Sequence, residues 1–246
     1  MRRPCQSLLF AASLLLTFAA GAARADEEGV RKGVEAFIGA PVPVVQTVTR
    51  IPQGGLYEVV LVSGEVIYTD DAVSFFIDGS IIDTATRRNL TAERLARLAA
   101  IDFKTLPLEQ AIKRVNGNGK RALATFEDPN CGFCKKLGQE LQKVKNVTIY
   151  TFLLPILSQD SRDKSRDVWC AKDKAAAWVA WIVDGKTPKK AECDLAAIER
   201  NVALGRQLRI NGTPTIFLTD GTRIGGYRSA EDLEDALQIA ATATKK

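Results

Sequence analysis

Apolar and polar positions change their period along this chain, and each change predicts a different kind of element. Residues 28–39 carry apolar side chains at helical spacing and end at Gly39, which predicts a helix. The apolar positions of this helix are Val30, Val34, Phe37 and Ile38. Short apolar runs separated by glycine turns then predict strands at residues 44–48, 56–62, 65–69, 73–77 and 80–82. Together they describe a small antiparallel meander with one helix packed on it.

A second helical pattern opens at residues 89–93 and continues through Leu95, Leu98 and Ile101. We interpret it as a semi-rigid connector between two domains. The preceding unit, roughly 60 residues, buries a small core and leaves sheet edges unpaired. It is therefore either a self-sufficient accessory domain or a dimerisation domain. After the connector, residues 108–115 predict one or two further helical turns.

The remainder of the chain alternates strand and helix patterns. Strands are predicted at residues 121–126, 147–153, 215–218 and 223–227. Helices are predicted after residue 130, at residues 165–183 and 195–204, and from Ser229 onward. This order predicts an α/β plan (α+β over the whole chain) in which a thioredoxin-like domain carries a helical insertion.

Two cysteines lie where a predicted strand ends and a helix begins, in the sequence Cys131-Gly132-Phe133-Cys134. Asn130 is the predicted N-cap, so Cys131 lies at the amino end of the helix. Unpaired N–H groups and the positive end of the helix dipole favour a thiolate there, and the thiolate is the form that attacks disulfides. Cys134 follows one turn later, close enough to form a disulfide with Cys131. The pattern predicts a redox site.

The first 25 residues have the organisation of a signal peptide. Arg2 and Arg3 precede an apolar run at residues 8–20, and Ala-Arg-Ala at residues 23–25 is a cleavage signature. We expect the mature protein to begin near Asp26, in an exported compartment, with no membrane insertion. The leader carries three arginines and no acid, so removing it lowers the formal charge from +5 to +2. This charge gives no indication of nucleic-acid binding.

The numbers of cysteines and histidines limit which catalytic sites and metal sites are possible. Cys5 leaves with the leader, and the four remaining cysteines favour two disulfides in an exported protein. The absence of histidine excludes Ser-His-Asp catalysis and histidine-containing metal sites. A structural disulfide and half of a zinc site are the alternatives for Cys131 and Cys134, but Cys170 and Cys193 are too far apart in sequence to form a second close pair. We expect neither a metal nor an organic cofactor.

Several motifs together resemble one known family. They are the Cys131–Cys134 motif, Trp-Cys-Ala-Lys-Asp-Lys at residues 169–174, Cys193-Asp194, Ala-Leu-Gly at residues 203–205 and Gly212-Thr213-Pro214. Tyr-Thr-Asp-Asp at residues 68–71 and Asn-Leu-Thr at residues 89–91 extend the likeness. The chain resembles the periplasmic disulfide isomerases of the DsbC/DsbG group over nearly its whole mature length.

The resemblance implies a domain plan and a set of partners. Residues 26–88 would form a dimerisation domain, residues 89–104 a linker helix and residues 105–246 the thioredoxin-like catalytic domain. Two chains would form a V-shaped homodimer around an apolar cleft. The expected partners are misoxidised exported proteins and a membrane thiol-transfer reductase of the DsbD type.

The resemblance also implies residue roles. Cys131 would attack and Cys134 would resolve, while Cys170 and Cys193 would form a structural disulfide. Thr213-Pro214 would be a cis bond beside the active pair. The substrate-binding residues would be Thr213, Pro214, Gly132 and Phe133.

The motif departs from the family pattern at two positions and leaves alternatives open. Phe133 replaces a tyrosine and Lys135 replaces a histidine, while Gly132 favours the DsbC side. A DsbG-like reductant that protects single cysteines is one alternative, and a protein that is mainly a holdase chaperone is another. Glu127 or Asp128 could assist proton transfer from Cys134, but we favour solvated turn acids. We expect Trp169, Trp178 and Trp181 to pack in the interior and Lys135 and Lys136 to be solvated.

Overall fold

The computed structural model describes residues 25–243, which fall into two compact units with a boundary after Thr91. Apart from Ala25, the predicted signal peptide lies outside the described residues. No helix in the described part of the chain is both long enough and apolar enough to cross a bilayer.

The first unit is an antiparallel sheet with one helix packed on it, as the sequence predicts, but the sheet has three strands rather than five. Its elements are α1 (Ala25–Ile38), β1 (Val45–Arg50), β2 (Tyr57–Leu61) and β3 (Val66–Thr69). The strands lie in the order β1-β2-β3. Val30 and Val34 of α1 are fully buried against Val45, Val48 and Val59 of the sheet. The helical stripe therefore forms the core of this unit.

Two of the strands predicted for this unit are absent from the structure. Residues 73–77 and 80–82 are not strands, and only isolated bridges join Tyr68 to Ile77 and Ile82 to Asn89. The chain turns at this point because the Asp70 carboxylate accepts from the Ser74 backbone N–H at 2.7 Å, and Val73 has a φ of 53°.

The end of α1 is exposed. Phe37 is 74% exposed and Ile38 is 40% exposed, although both continue the apolar stripe of the helix. The sheet covers only the first two positions of that stripe.

Helix α2 (Leu90–Ala99) begins at the predicted connector but is shorter than residues 89–104. Ile101 lies beyond its end and donates its backbone N–H to the carbonyl of Gly221 at 3.2 Å. A single turn of 3₁₀ helix, Phe103–Thr105, follows and is capped by the side chain of Asp102. Only Thr91 of α2 is buried.

The second unit is built on a five-stranded mixed sheet in the order β4-β6-β5-β7-β8. The strands are β4 (Ile112–Asn116), β5 (Arg121–Glu127), β6 (Val147–Leu153), β7 (Thr215–Leu218) and β8 (Arg223–Gly225). The helices are α3 (Gly132–Leu141), α4 (Gln159–Trp169), α5 (Lys174–Ile182), α6 (Ala196–Gln207) and α7 (Ala230–Ala243). Strands β5 and β6 are parallel and all other neighbours are antiparallel. The predicted α/β plan with a helical insertion is confirmed.

Strand β4 lies where the sequence predicts one or two helical turns, so that prediction is wrong from Ile112 onward. It runs antiparallel to β6 and lies at the edge of the sheet, with Ile112 buried and Lys113 exposed. An edge strand of this kind has few apolar residues, so its sequence lacks the continuous run that identifies buried strands.

Strand β5 is held by side chains on both faces. On one face, Leu123 packs with Leu137 and Leu141 of α3 and with Leu233 and Leu237 of α7. On the other, Phe126 stacks on Phe152 with ring centroids 4.6 Å apart and meets Phe217 edge-on. This packing fixes the end of the strand from which the Cys131–Cys134 motif starts.

The helical insertion contains a disulfide between Cys170 and Cys193, with Cα atoms 5.4 Å apart. Cys170 is the C-cap of α4. The predicted helix at residues 165–183 is in fact two helices, because the Asp173 side chain accepts from the Ala176 N–H and starts α5. The disulfide closes a loop with a sequence separation of 23 residues.

Replacing both cysteines, Cys170→Ala with Cys193→Ala, should lower the free energy of unfolding by about 3 kcal/mol, since the link restricts the unfolded chain. Urea unfolding followed by tryptophan fluorescence measures this difference. A strong reductant should bring the wild type to the same stability as the double variant. Equal stability of the two proteins under oxidising conditions would contradict the prediction.

Candidate active site

Cys131 is the residue that caps helix α3. Its sulfur accepts the backbone N–H of Cys134 at 3.3 Å, and its own N–H donates to the carbonyl of Asp128 at 3.1 Å. Asn130, the predicted cap, instead donates its side-chain amide to Asp160 at 2.7 Å and to Ser158 at 3.3 Å. The sulfur therefore lies directly against the unpaired N–H groups that begin the helix.

The surroundings of the two sulfurs separate their acidities. A hydrogen bond from the Cys134 side chain, together with one from Thr213 and the N–H groups of the helix, lowers the pKa of Cys131 to about 5 despite partial burial. Burial raises the pKa of Cys134 far above its ordinary value, and its hydrogen bond to Cys131 and the nearby Glu127 add to this. At neutral pH, one sulfur is a thiolate and the other a thiol.

Access to the two sulfurs differs in the same way. Cys131 keeps 6% of its surface exposed and Cys134 keeps none, and both are free thiols. Gly132 is exposed and the Phe133 side chain is 59% exposed, so the residues between the cysteines face outward. A protein substrate can approach Cys131 but not Cys134.

The loop before β7 meets the motif. In the thiol form, Cys131 Sγ donates to the carbonyl oxygen of Thr213 at 3.2 Å, and the Thr213-Pro214 peptide bond is cis. Thr213 is half-buried and Pro214 is buried. The structure thus brings Cys131, Cys134 and Thr213 together.

Asp128 fixes the turn that leads into the motif. One carboxylate oxygen accepts from the Asn130 N–H at 2.8 Å and the Ser161 hydroxyl at 2.7 Å. The other accepts from the N–H groups of Ile156 and Leu157 at 2.9 and 3.0 Å. Asp128 is fully buried, so the expectation of a solvated turn acid is wrong. A buried carboxylate with this many donors is an anchor rather than a surface charge.

Glu127 is also buried, with only 1% of its surface exposed. Its Oε1 accepts from the Thr125 hydroxyl at 2.7 Å and from the Thr151 hydroxyl at 3.5 Å. Burial raises the pKa of Glu127 to about 7, although Thr125 and Arg114 act in the opposite direction. The prediction of a solvated acid is wrong here as well, because β5 continues one residue further than its apolar run.

Trp181 connects the helical insertion to the motif. Its indole N–H donates to the carbonyl of Pro129 at 2.7 Å, and the Lys135 ammonium lies 4.4 Å from its ring centroid. Trp169, Trp178 and Trp181 are all buried, which confirms their predicted packing role. Lys135, which we predicted to be solvated, lies against an aromatic ring instead.

No group of three or more potential metal-ligating side chains occurs in the part of the chain that the structure describes. Sequence reasoning missed Ser161, Thr125 and Thr151 as neighbours of the two acids. The signal for Thr125 and Thr151 is that each interrupts a mostly apolar predicted strand, and Ser161 has no comparable signal.

Comparisons with known proteins cover both units. The family model described as "Disulfide bond isomerase protein N-terminal domain" matches residues 21–92, and the model described as "Thioredoxin-like domain" matches residues 108–241. The probable thiol:disulfide interchange protein DsbC of Bordetella parapertussis is 48% identical over 193 residues, which span 78% of this chain and 68% of that protein. This chain belongs to the DsbC family of thiol:disulfide interchange proteins.

More distant DsbC relatives match a larger share of the chain. The DsbC of Escherichia coli is 28% identical over 229 residues, which are 91% of this chain and 92% of that protein. A solved disulfide interchange protein from Neisseria gonorrhoeae superimposes with a TM-score of 0.53 at 39% identity. It covers 55% of this chain and 98% of its own length.

Titration of the reduced protein should show thiolate formation with a midpoint at about pH 5 rather than at the ordinary 9.0. Because the pKa is lowered, reactivity toward an alkylating reagent should rise through this midpoint and stay high above it. Thiolate absorbance and alkylation rate measure the two quantities.

Two variants control the titration. Cys131→Ser should lose the signal, and Cys134→Ala should move the midpoint upward because the largest stabilising hydrogen bond is removed. A wild-type midpoint near 9 would contradict our account of the site.

Proposed function

We propose that this DsbC-family chain is a thiol–disulfide exchange enzyme that isomerises and reduces incorrect disulfides in exported proteins. The observation that best supports this function is the contrast within one motif, where an accessible sulfur with a lowered pKa lies beside a buried sulfur with a raised pKa. Such a pair can attack a foreign disulfide and later release it. The chemistry needs no metal or organic cofactor.

In the first step, the Cys131 thiolate attacks one sulfur of a wrong substrate disulfide. A bond forms between Cys131 and that sulfur, and the other substrate sulfur leaves as a thiolate. The low pKa of Cys131 provides thiolate at neutral pH without a separate base.

In the second step, one of two thiolates displaces Cys131 from the mixed disulfide. A substrate thiolate completes isomerisation, whereas Cys134 completes reduction and leaves an oxidised Cys131–Cys134 pair. Cys134 must first lose its proton, and buried Glu127 is the nearby group whose pKa, about 7, suits a proton acceptor at neutral pH.

The substrate-binding residues that we propose surround Cys131. The Thr213 carbonyl contacts the sulfur and Pro214 follows Thr213 through a cis peptide bond, while Gly132 and Phe133 form the exposed first turn of α3. Ile156 and Leu157 are 43% and 57% exposed, and their N–H groups are held by Asp128. Exposed apolar side chains beside a reactive sulfur suit the apolar segments that misfolded proteins expose.

We further propose that the protein acts in the periplasm as a homodimer, with residues 26–88 as the dimerisation domain, residues 89–104 as the linker and residues 105–246 as the catalytic domain. The first unit exposes several large apolar side chains that a second copy would cover. They are Phe37, Val42, Val62, Phe75, Ile77 and Ile82. A membrane reductase of the DsbD type would return the oxidised pair to the dithiol form.

Cys134→Ala should accumulate covalent adducts with a scrambled disulfide substrate, because the intramolecular release step is removed. Cys131→Ser should form no adduct and should lose at least about 90% of refolding activity. Non-reducing gel electrophoresis and recovery of substrate activity measure the two effects.

The same assay separates the alternatives. Suppression of aggregation by a Cys131→Ser/Cys134→Ala variant equal to that of the wild type, with no covalent adduct from Cys134→Ala, would favour a holdase. Efficient reduction of a single sulfenylated cysteine without refolding activity would favour a DsbG-like reductant.

Ile77→Lys should weaken self-association by about tenfold or more, because it places a charge beside the edge of the small sheet. Sedimentation velocity over a concentration series measures this change. Ile239→Lys is the matched control, since Ile239 is 66% exposed on α7 of the second unit. A wild-type chain that sediments as a monomer would contradict the homodimer.

A further inference from the structure

A stripe of polar side chains crosses the sheet beneath the active site. Thr151 of β6 is paired in register with Thr125 of β5, and the Thr125 hydroxyl donates to the Thr151 oxygen at 3.1 Å. Glu127 lies two residues beyond Thr125 on the same face. Arg114 of β4 pairs with Ile149, two residues before Thr151, so it shares that face as well. We call Arg114, Thr151, Thr125 and Glu127 the polar stripe.

Two atoms of the stripe are buried without a hydrogen-bond partner among the described residues. They are Nη1 of Arg114 and Oε2 of Glu127. Each is the charged end of its side chain, and their charges are opposite. Buried charged groups are retained in proteins only when another charge or a polar network compensates them. Burial raises the pKa of Glu127 and lowers the pKa of Arg114, and the charge of each group opposes the shift of the other, so each group offsets part of the cost of burying the other.

The environment of the stripe makes this compensation effective. Ile112, Leu153, Trp178 and Trp181 pack in the same apolar cluster as Cys131 and Cys134. Water screening is weak in such surroundings, so a nearby charge acts strongly. Helix α5 packs against β4, but its only charged residue, Lys174, lies over the Trp169 ring at 3.3 Å.

The titratable groups that act on Glu127 are accordingly few. They are Arg114 from β4, Cys131 at the start of α3 and Cys134 within α3. The two sulfurs oppose a negative charge on Glu127 when either is a thiolate. Arg114 is the only cation among these groups.

We propose that Arg114 is a positioning residue for the resolving step, in which its guanidinium keeps Glu127 as a carboxylate able to take the proton of Cys134. This inference rests on the proposed function, because it assigns Arg114 to the step in which Cys134 releases Cys131. The Cys134 proton passes to Glu127, the Cys134 thiolate bonds to the Cys131 sulfur, and the other sulfur of the mixed disulfide leaves as a thiolate. Glu127 then returns the proton to solvent.

A two-phase reaction tests the proposal on the full-length reduced protein. The probe is dithiobis(nitrobenzoate), which releases a coloured thiolate when Cys131 attacks it and a second one when Cys134 attacks the adduct. The first phase reports the proposed function, and the second reports the resolving step. Both phases are measured by stopped-flow absorbance across a pH series.

Arg114→Met should slow the second phase about tenfold at neutral pH and move its pH profile upward, while the first phase keeps its rate. The direction follows because the guanidinium lowers the pKa of Glu127, so its loss leaves less carboxylate at a given pH. Arg114→Lys should restore most of the rate. Lys113→Met is the matched control, since Lys113 is exposed on the opposite face of β4.

The outcomes distinguish the two claims. If the wild type shows no first phase, the proposed function is wrong. If the first phase is normal and Arg114→Met leaves the rate and pH profile of the second phase unchanged, only the role of Arg114 is overturned. Should Arg114→Met lose its native circular dichroism, Arg114→Gln replaces it. Removal of the charge with a polar side chain kept should slow the second phase in the same direction, and an unchanged second phase would overturn the proposal.

Discussion

The hydrogen bond from the Cys134 N–H to the sulfur of Cys131 is the contact on which the rest of the site depends. It places the sulfur at the first free donors of α3, where an anion is stabilised, and it sets Cys134 one turn further inside. If Asn130 capped the helix instead, Cys131 would be the first helical residue and its sulfur would not accept the Cys134 N–H. Because Cys131 caps the helix, the same residue begins α3 and carries the reactive sulfur.

This contact holds because its supports come from several directions. The two packed faces of β5 fix the strand end, Asp128 binds the turn to residues 156–161, and the Trp181 indole holds the carbonyl of Pro129. The Asp128 and Trp181 anchors reach into the segment between β6 and α6. The helical insertion therefore holds the Cys131–Cys134 motif in position and is not merely an addition to the surface of the domain.

Elements with a strong hydrophobic pattern are predicted correctly from the sequence, and elements with a weak pattern are not. Strand β6 and strand β7 have the bounds predicted for them, since continuous apolar runs identify buried strands. Strand β4 was missed because its pairing with β6 is a long-range event that its own residues do not announce. The sequence predicts Asn130 rather than Cys131 as the cap of α3, because cysteine is not among the residues that usually cap helices.

The acids beside the motif show the same limit. Glu127 and Asp128 look like turn residues because polarity in a sequence gives no information about depth. Their burial follows from partners more than twenty residues away, namely Thr151, Ile156, Leu157 and Ser161.

The order of the cysteines along the chain also affects how the disulfide can form. Cys170 and Cys193 are consecutive cysteines along the chain and form a disulfide, whereas Cys131 and Cys134 precede them as free thiols. No other cysteine lies between these two partners, so a chain that emerges from its amino end presents no competing thiol between Cys170 and Cys193.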